Sequence, residues 1–210
     1  MAIRRYQSKK KFNLPLVLFG MLLIGVAFVF SLATLADFSG KPETETTQEA
    51  TLSRQQFIEK LVPHAQELQA GYGVLPSIII GQAALESNFG QATLASEYNN
   101  LFGVKAFGDK PKVNLETQEY LNGQWVTVKG DFRVYESWDE SMDAHTRLFV
   151  NGVDWDPKKY EPVLLAKDYK EAAQALQKAG YATDPTYADK IIAMIEEYHL
   201  DQYDHSNDQK

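Results

Sequence analysis

The chain has 210 residues, 44% hydrophobic and 23% charged, which is room for one folded domain with additional segments. It contains no cysteine, which excludes disulfides, thiol catalysis and thiolate zinc sites. The net charge of −7 becomes −12 for residues 37–210 once the five leader cations are subtracted, a poor match for nucleic acid and a better one for a neutral or cationic ligand.

Residues 14–36 carry no charge over 23 positions, enough to cross a hydrocarbon core at about 1.5 Å per residue. Arg4, Arg5, Lys9, Lys10 and Lys11 precede this run. The positive-inside rule keeps residues 1–13 in the cytoplasm and places everything after Asp37 outside the cell membrane. Two fates of the run stay open: a retained single-pass transmembrane anchor, which its length favours, or a signal peptide cut after Thr34-Leu35-Ala36. Either one exports the remainder. Residues 37–52 are polar and aperiodic, a flexible linker.

The folded domain is expected over 53–200. Ser53 and Gln56 form a capping box ahead of Phe57, Ile58, Leu61, Val62, Ala65 and Leu68 at helical spacing, with Pro63 a point of kinking. Gly71-Tyr72-Gly73 ends this helix. Pro76-Ser77 opens a second, apolar on nearly every side, bearing Glu86 and expected to stop at Gly90. Buried there, a carboxyl loses hydration and keeps its proton to higher pH, as a general acid requires; at the helix end facing water or an Arg it would be ordinary.

After a loop through Asn99-Asn100-Leu101-Phe102-Gly103 the period becomes alternating. Residues 112–120 and 124–128 flank Asn122-Gly123, a strong hairpin signal, and Phe132-Arg133-Val134-Tyr135 is expected to add a third strand. Ser137 with Glu140, Asp168 with Glu171, and Asp184-Pro185 mark three more helix starts. Between the first two, residues 157–166 read as a short helix. Residues 201–210 read as a polar tail with no role in the core.

Glycoside hydrolysis commonly uses two carboxyl groups, and two elements bring one each: Glu86 from the helix, and Glu116 or Glu119 from the first hairpin strand. Alternation groups Glu119 with Val113, Leu115 and Thr117, and Glu116 with Asn114, Gln118 and Tyr120. If the apolar side packs inward and no bulge intervenes, Glu119 is directed at the cleft. His64, His145, His199 and His205 lack paired-ligand spacing and read as surface or helix residues. Asp139, Asp143, Asp154 and Asp156 do not form a calcium loop, so neither metal nor cofactor is expected.

Residues 84–90 (Ala-Leu-Glu-Ser-Asn-Phe-Gly), 99–105 (Asn-Asn-Leu-Phe-Gly-Val-Lys), Thr117-Gln118-Glu119-Tyr120, Phe132-Arg133-Val134-Tyr135 and 180–188 (Gly-Tyr-Ala-Thr-Asp-Pro-Thr-Tyr-Ala) resemble the successive motifs of the bacterial glucosaminidase domain, glycoside hydrolase family seventy-three. The resemblance covers roughly residues 53–200 in order. It implies an α+β, lysozyme-like fold in which a mostly helical lobe and a small antiparallel β-hairpin lobe flank a glycan groove. The implied activity is that of an endo-β-N-acetylglucosaminidase acting on peptidoglycan strands, with Glu86 as general acid, Glu119 as the β-lobe carboxylate and Tyr181 as the active-site tyrosine. Glu119 would activate water, or orient and stabilise while the substrate's acetamido group attacks. Asn99, Asn100, Phe102, Tyr120 and Tyr187 are expected to contact substrate, though Asn99 and Asn100 also suit a turn and the aromatics a core. Two departures stand out: the connection Asn151-Gly152-Val153-Asp154-Trp155-Asp156-Pro157 is long for the family, and Asn88-Phe89 follow Ser87 where Gly or Trp is common. Rival readings are a lytic transglycosylase or N-acetylmuramidase, and a non-catalytic wall-binding or scaffolding module. No protein partner is indicated.

Overall fold

Ser53 starts the first helix as its sequence indicates, its hydroxyl accepting the Gln56 N–H at 3.2 Å while the Gln56 side chain accepts the Ser53 N–H at 2.9 Å. The computed structural model describes residues 52–121 and 124–204. The uncharged run 14–36, its basic flank, most of the linker, the Asn122-Gly123 turn and His205 lie outside the described residues. Among the described residues, no helix is long and apolar enough to cross a membrane.

Helix α1 (Arg54–Tyr72) runs on through Pro63 and buries Phe57, Ile58, Leu61, Ala65 and Leu68. Helix α2 (Pro76–Ser87) is enclosed: Ile78, Ile79, Ile80, Ala83 and Ala84 are all buried. It packs against α1, against α6 (Tyr169–Lys178), against α7 (Tyr187–Glu197) and against a 3-10 turn at Leu200–Tyr203. Between come α3 (Thr93–Ser96), strands β1 (Lys112–Leu121) and β2 (Gln124–Arg133), α4 (Trp138–Asn151) and α5 (Glu161–Leu164), the last shorter than the expected 157–166. This is a helical domain with one antiparallel hairpin.

The expected third strand is absent from the described residues. Phe132 and Arg133 instead complete β2, which pairs one-to-one with β1 from Lys112 opposite Arg133 to Leu121 opposite Gln124. The register carries no bulge, so residues 113, 115, 117 and 119 share one face of β1. Thr117 on that face is buried and Glu116 on the other is exposed. The loop before the hairpin fastens β2: Ala106 N–H donates to Asp131 O at 2.8 Å and Arg133 N–H to Val104 O at 2.9 Å.

Two expected boundaries move. Helix α7 begins at Tyr187, two residues after Pro185, because Asp184 accepts the Thr186 N–H and hydroxyl at 2.8 Å each and shapes a turn there. The end of the domain and the start of the tail are both tied to the helical lobe. Leu200 is fully buried, and Asp204 accepts the Ser77 N–H at 2.7 Å and the Ser77 hydroxyl at 2.5 Å. Leu75, at the cap position of α2, offers no side-chain cap. Asp204 therefore caps α2 from far along the chain, a carboxylate at the positive end of a helix. Asp204→Ala is expected to destabilise the fold by about 1–2 kcal/mol. A thermal midpoint equal to the parent's would show that this clasp contributes nothing.

Candidate active site

Glu86 sits in the last turn of α2, and that helix ends three residues earlier than Gly90. The reason is a run of left-handed residues: Asn88, Phe89 and Gly90 have φ of 49°, 55° and 78°. Ser87 latches the turn, donating to Ala83 O at 2.5 Å and accepting the Gly90 N–H at 2.7 Å. Phe89 holds a backbone region that bulky side chains rarely take. Its ring is fixed edge-on against Phe57 and Tyr198, with the Arg54 guanidinium 5.0 Å above it.

Beside Glu86 lies a cavity of about 250 Å³ between the lobes. Ser87, Ala92, Thr93, Leu94, Ala95, Asn100 and Gly103 line it from the helical side, and Leu115, Glu116 and Phe132 from the hairpin. The Tyr187 hydroxyl donates to Glu86 Oε1 at 2.8 Å and accepts from Gln82 Nε2 at 2.8 Å. Burial raises the Glu86 carboxyl to about 8, overriding the Tyr187 hydrogen bond and the Lys190 charge, both of which lower it. Glu86 therefore carries its proton at neutral pH, the state from which a general acid acts.

The other sequence candidates are distributed unevenly. Tyr181, 1% exposed, stacks on Tyr187 at a centroid distance of 5.6 Å. Burial, followed by the charge of Glu86, pushes its hydroxyl well above the usual tyrosine range, so it remains a donor. Tyr187 is buried as the partner of Glu86. Asn100 lines the cavity, but its amide is engaged with backbone: Nδ2 donates to Val104 O and Arg133 O at 3.0 and 2.9 Å, and Oδ1 accepts the Val104 N–H at 3.0 Å. Asn99 is left-handed, with φ 55°, and donates to Tyr135 O at 3.1 Å. Phe102 is buried beneath this loop, stacked on His145 at 3.9 Å. Glu119 pairs with Val126 and Tyr120 with Trp125 through the backbone; the side chains of Glu119 and Tyr120 lie outside the described residues. Among the described side chains, Glu116 is the hairpin carboxylate that lines the cavity.

Gln82 escaped the sequence reading, although a signal existed: it is the polar residue four positions before Glu86, on the same face of an apolar helix. His145 is a helix residue, as one of the two expectations had it, lying within α4. It is 1% exposed, neither ring nitrogen has a hydrogen-bond partner among the described residues, and burial pushes its pKa down to about 3. The unfolded chain takes up that proton from about pH 6.5 downward while the native state refuses it, so this contribution to stability is full above 6.5 and declines toward 3, by about 1.4 kcal/mol per pH unit. Glu86 has the opposite slope between 4.5 and 6.5, which masks the effect in the parent protein. His145→Leu should gain in thermal midpoint relative to the parent as pH falls from 7 to 4. A gap that stays constant with pH would contradict the assignment. Among the described residues, no group of three or more acidic or histidine side chains could hold a metal.

A helical lobe and a hairpin enclosing a cleft, with a carboxylic acid kept protonated on its wall, are an arrangement suited to a glycoside hydrolase. Residues 62–200 match the glucosaminidase family model, described as mannosyl-glycoprotein endo-beta-N-acetylglucosaminidase, and the chain belongs to this family. It is 49% identical over 191 residues to the exo-glucosaminidase LytG of Bacillus subtilis, covering 89% of this chain and 68% of that one. It is 34% identical to a probable N-acetylmuramidase of Lactococcus lactis subsp. cremoris, covering 96% of this chain and 47% of the relative, so it spans about half the length of that protein. Of solved structures, the catalytic domain of the autolysin Auto from Listeria monocytogenes matches with a TM-score of 0.66 at 37% identity, covering 75% of this chain and 92% of that one.

Proposed function

We propose that the protein is a membrane-anchored, extracellular peptidoglycan hydrolase, an endo-β-N-acetylglucosaminidase that cleaves the bond after N-acetylglucosamine in the glycan strand. The observation that carries the proposal is Glu86, protonated up to about pH 8 on the wall of the interlobe cavity. Glu86 gives its proton to the glycosidic oxygen as the bond to the anomeric carbon breaks. Positive charge then develops on the sugar and requires a nucleophile on the opposite face. Glu119 on β1 activates a water there, or orients the substrate's own acetamido group for attack. The Tyr181 hydroxyl donates a hydrogen bond to that acetamido group. The charge-free run after five cations supports the anchor, and the names of the relatives support glycan as substrate.

The test is mass spectrometry of digested sacculi with labelled reducing ends. Long fragments ending in N-acetylglucosamine are expected. N-acetylmuramic ends would make the protein a muramidase, anhydro-muramic ends a transglycosylase, and no cleavage by the wild type a binding module. The name of the Bacillus subtilis relative favours a second reading, exo-action. Release of small products with average strand length preserved would establish it. For location, the protein is expected in the membrane fraction; recovery in the medium would indicate a cleaved leader.

A further inference from the structure

Gln82 is fully buried in α2, one helical turn before Glu86 and on the same face. Its Nε2 donates to the Tyr187 hydroxyl at 2.8 Å, occupying that oxygen as an acceptor. A tyrosine hydroxyl has one proton, and with its oxygen so engaged the proton points to Glu86 Oε1, 2.8 Å away. In a neutral carboxyl the oxygen that receives a donated proton is the carbonyl oxygen. The acid proton is then on Oε2, the oxygen Tyr187 does not engage, in a side chain that lines the cavity.

We infer that Gln82 is a positioning residue that sets the direction of this hydrogen-bond chain and thereby holds the Glu86 proton on the oxygen offered to substrate. The inference rests on Glu86 being the general acid. With an acceptor at position 82, the Tyr187 proton would turn toward residue 82, its oxygen would accept from Glu86, and the acid proton would face inward. The heavy-atom distances would not change. This direction leaves Gln82 Oε1 buried without a partner among the described residues, which destabilises the fold. A helix selected for stability alone would carry an apolar residue there. The other charged or titratable groups near Glu86 among the described side chains are Lys190 of α7, Tyr181 before it and Glu116 on β1.

Gln82→Met removes the donor and the orphan acceptor together while preserving shape. It is expected to keep or raise the thermal midpoint, to lower kcat on soluble glycan strands about tenfold with KM unchanged, and to move the alkaline limb of the kcat profile to higher pH, because Tyr187 becomes a weaker donor to ionised Glu86. Gln82→Met in a Tyr187→Phe background should cost nothing further, since the hydroxyl it acts through is gone. Parental kcat and alkaline limb in Gln82→Met, or additive losses in the double variant, would overturn the inference. So would a lowered midpoint with full activity per folded molecule. If Gln82→Met folds poorly, Gln82→Leu takes its place alone and in the Tyr187→Phe background, and a parental alkaline limb in Gln82→Leu, or a further shift on adding it to Tyr187→Phe, counts against the inference. Failure of the underlying reading looks different: Glu86→Gln would remain active.

Discussion

Glu86→Gln is expected to lose at least 100-fold to 10,000-fold in hydrolysis of sacculi while becoming more stable than the parent at alkaline pH. The same burial produces both effects. In the folded protein the carboxyl holds its proton up to about 8, whereas 4.5 is its ordinary value. Between these values the unfolded chain releases the proton and the native state keeps it. Stability is therefore lost as pH rises through this window, by an upper bound of about 3–5 kcal/mol at pH 8. An amide has no proton to lose, and its oxygen still accepts from Tyr187. The midpoint gap between variant and parent should widen from pH 5 to pH 8. A gap independent of pH would show that Glu86 is not desolvated, and near-parental hydrolysis would remove it from the chemistry.

Gly90→Ala is expected to cost about 3 kcal/mol or more and to take activity with it. An added Cβ would lie 2.7 and 2.8 Å from Trp138 ring carbons and 3.0 Å from Phe57. The φ of 78° is itself unfavourable for alanine. Trp138 cannot easily retreat, since its Nε1 donates to Ala95 O at 3.0 Å and the Lys60 ammonium sits 4.3 Å over its ring. The strain would reach Ser87 on one side and Ala92 on the other, both walls of the cavity. Activity per folded molecule and the thermal midpoint should fall together. An unaltered midpoint would mean that the turn relaxes freely. Asn88→Gly, by contrast, puts a permissive residue at φ 49° and should stabilise modestly.

The enclosed helix bearing Glu86, the hairpin and its alternation were legible in sequence because each rests on local rules: a capping box, a buried apolar run, an Asn-Gly turn flanked by period-two strands. The three-residue error at the end of α2 has a physical cause as well. Glycine is the expected left-handed residue, but here Asn88 and Phe89 adopt the same backbone region first, held by Ser87 and by aromatic contacts from α1 and the chain after α7. The third strand was lost because Phe132 and Arg133 continue a ladder whose length depends on β1, which local propensity does not encode.

By itself, the sequence determined the uncharged apolar run at 14–36, the acid in a buried helix and the family's ordered motifs, since these are properties of composition and short spacing. Only the tertiary structure decided how that acid is held. Tyr187 and Glu86 are 101 positions apart, Asp204 and Ser77 127 apart, and His145 meets Phe102 across two elements. Each depends on packing that brings distant segments within hydrogen-bond or van der Waals range. The proton on Glu86 is the outcome of that packing: desolvation by its neighbours exceeds what one tyrosine and one lysine return.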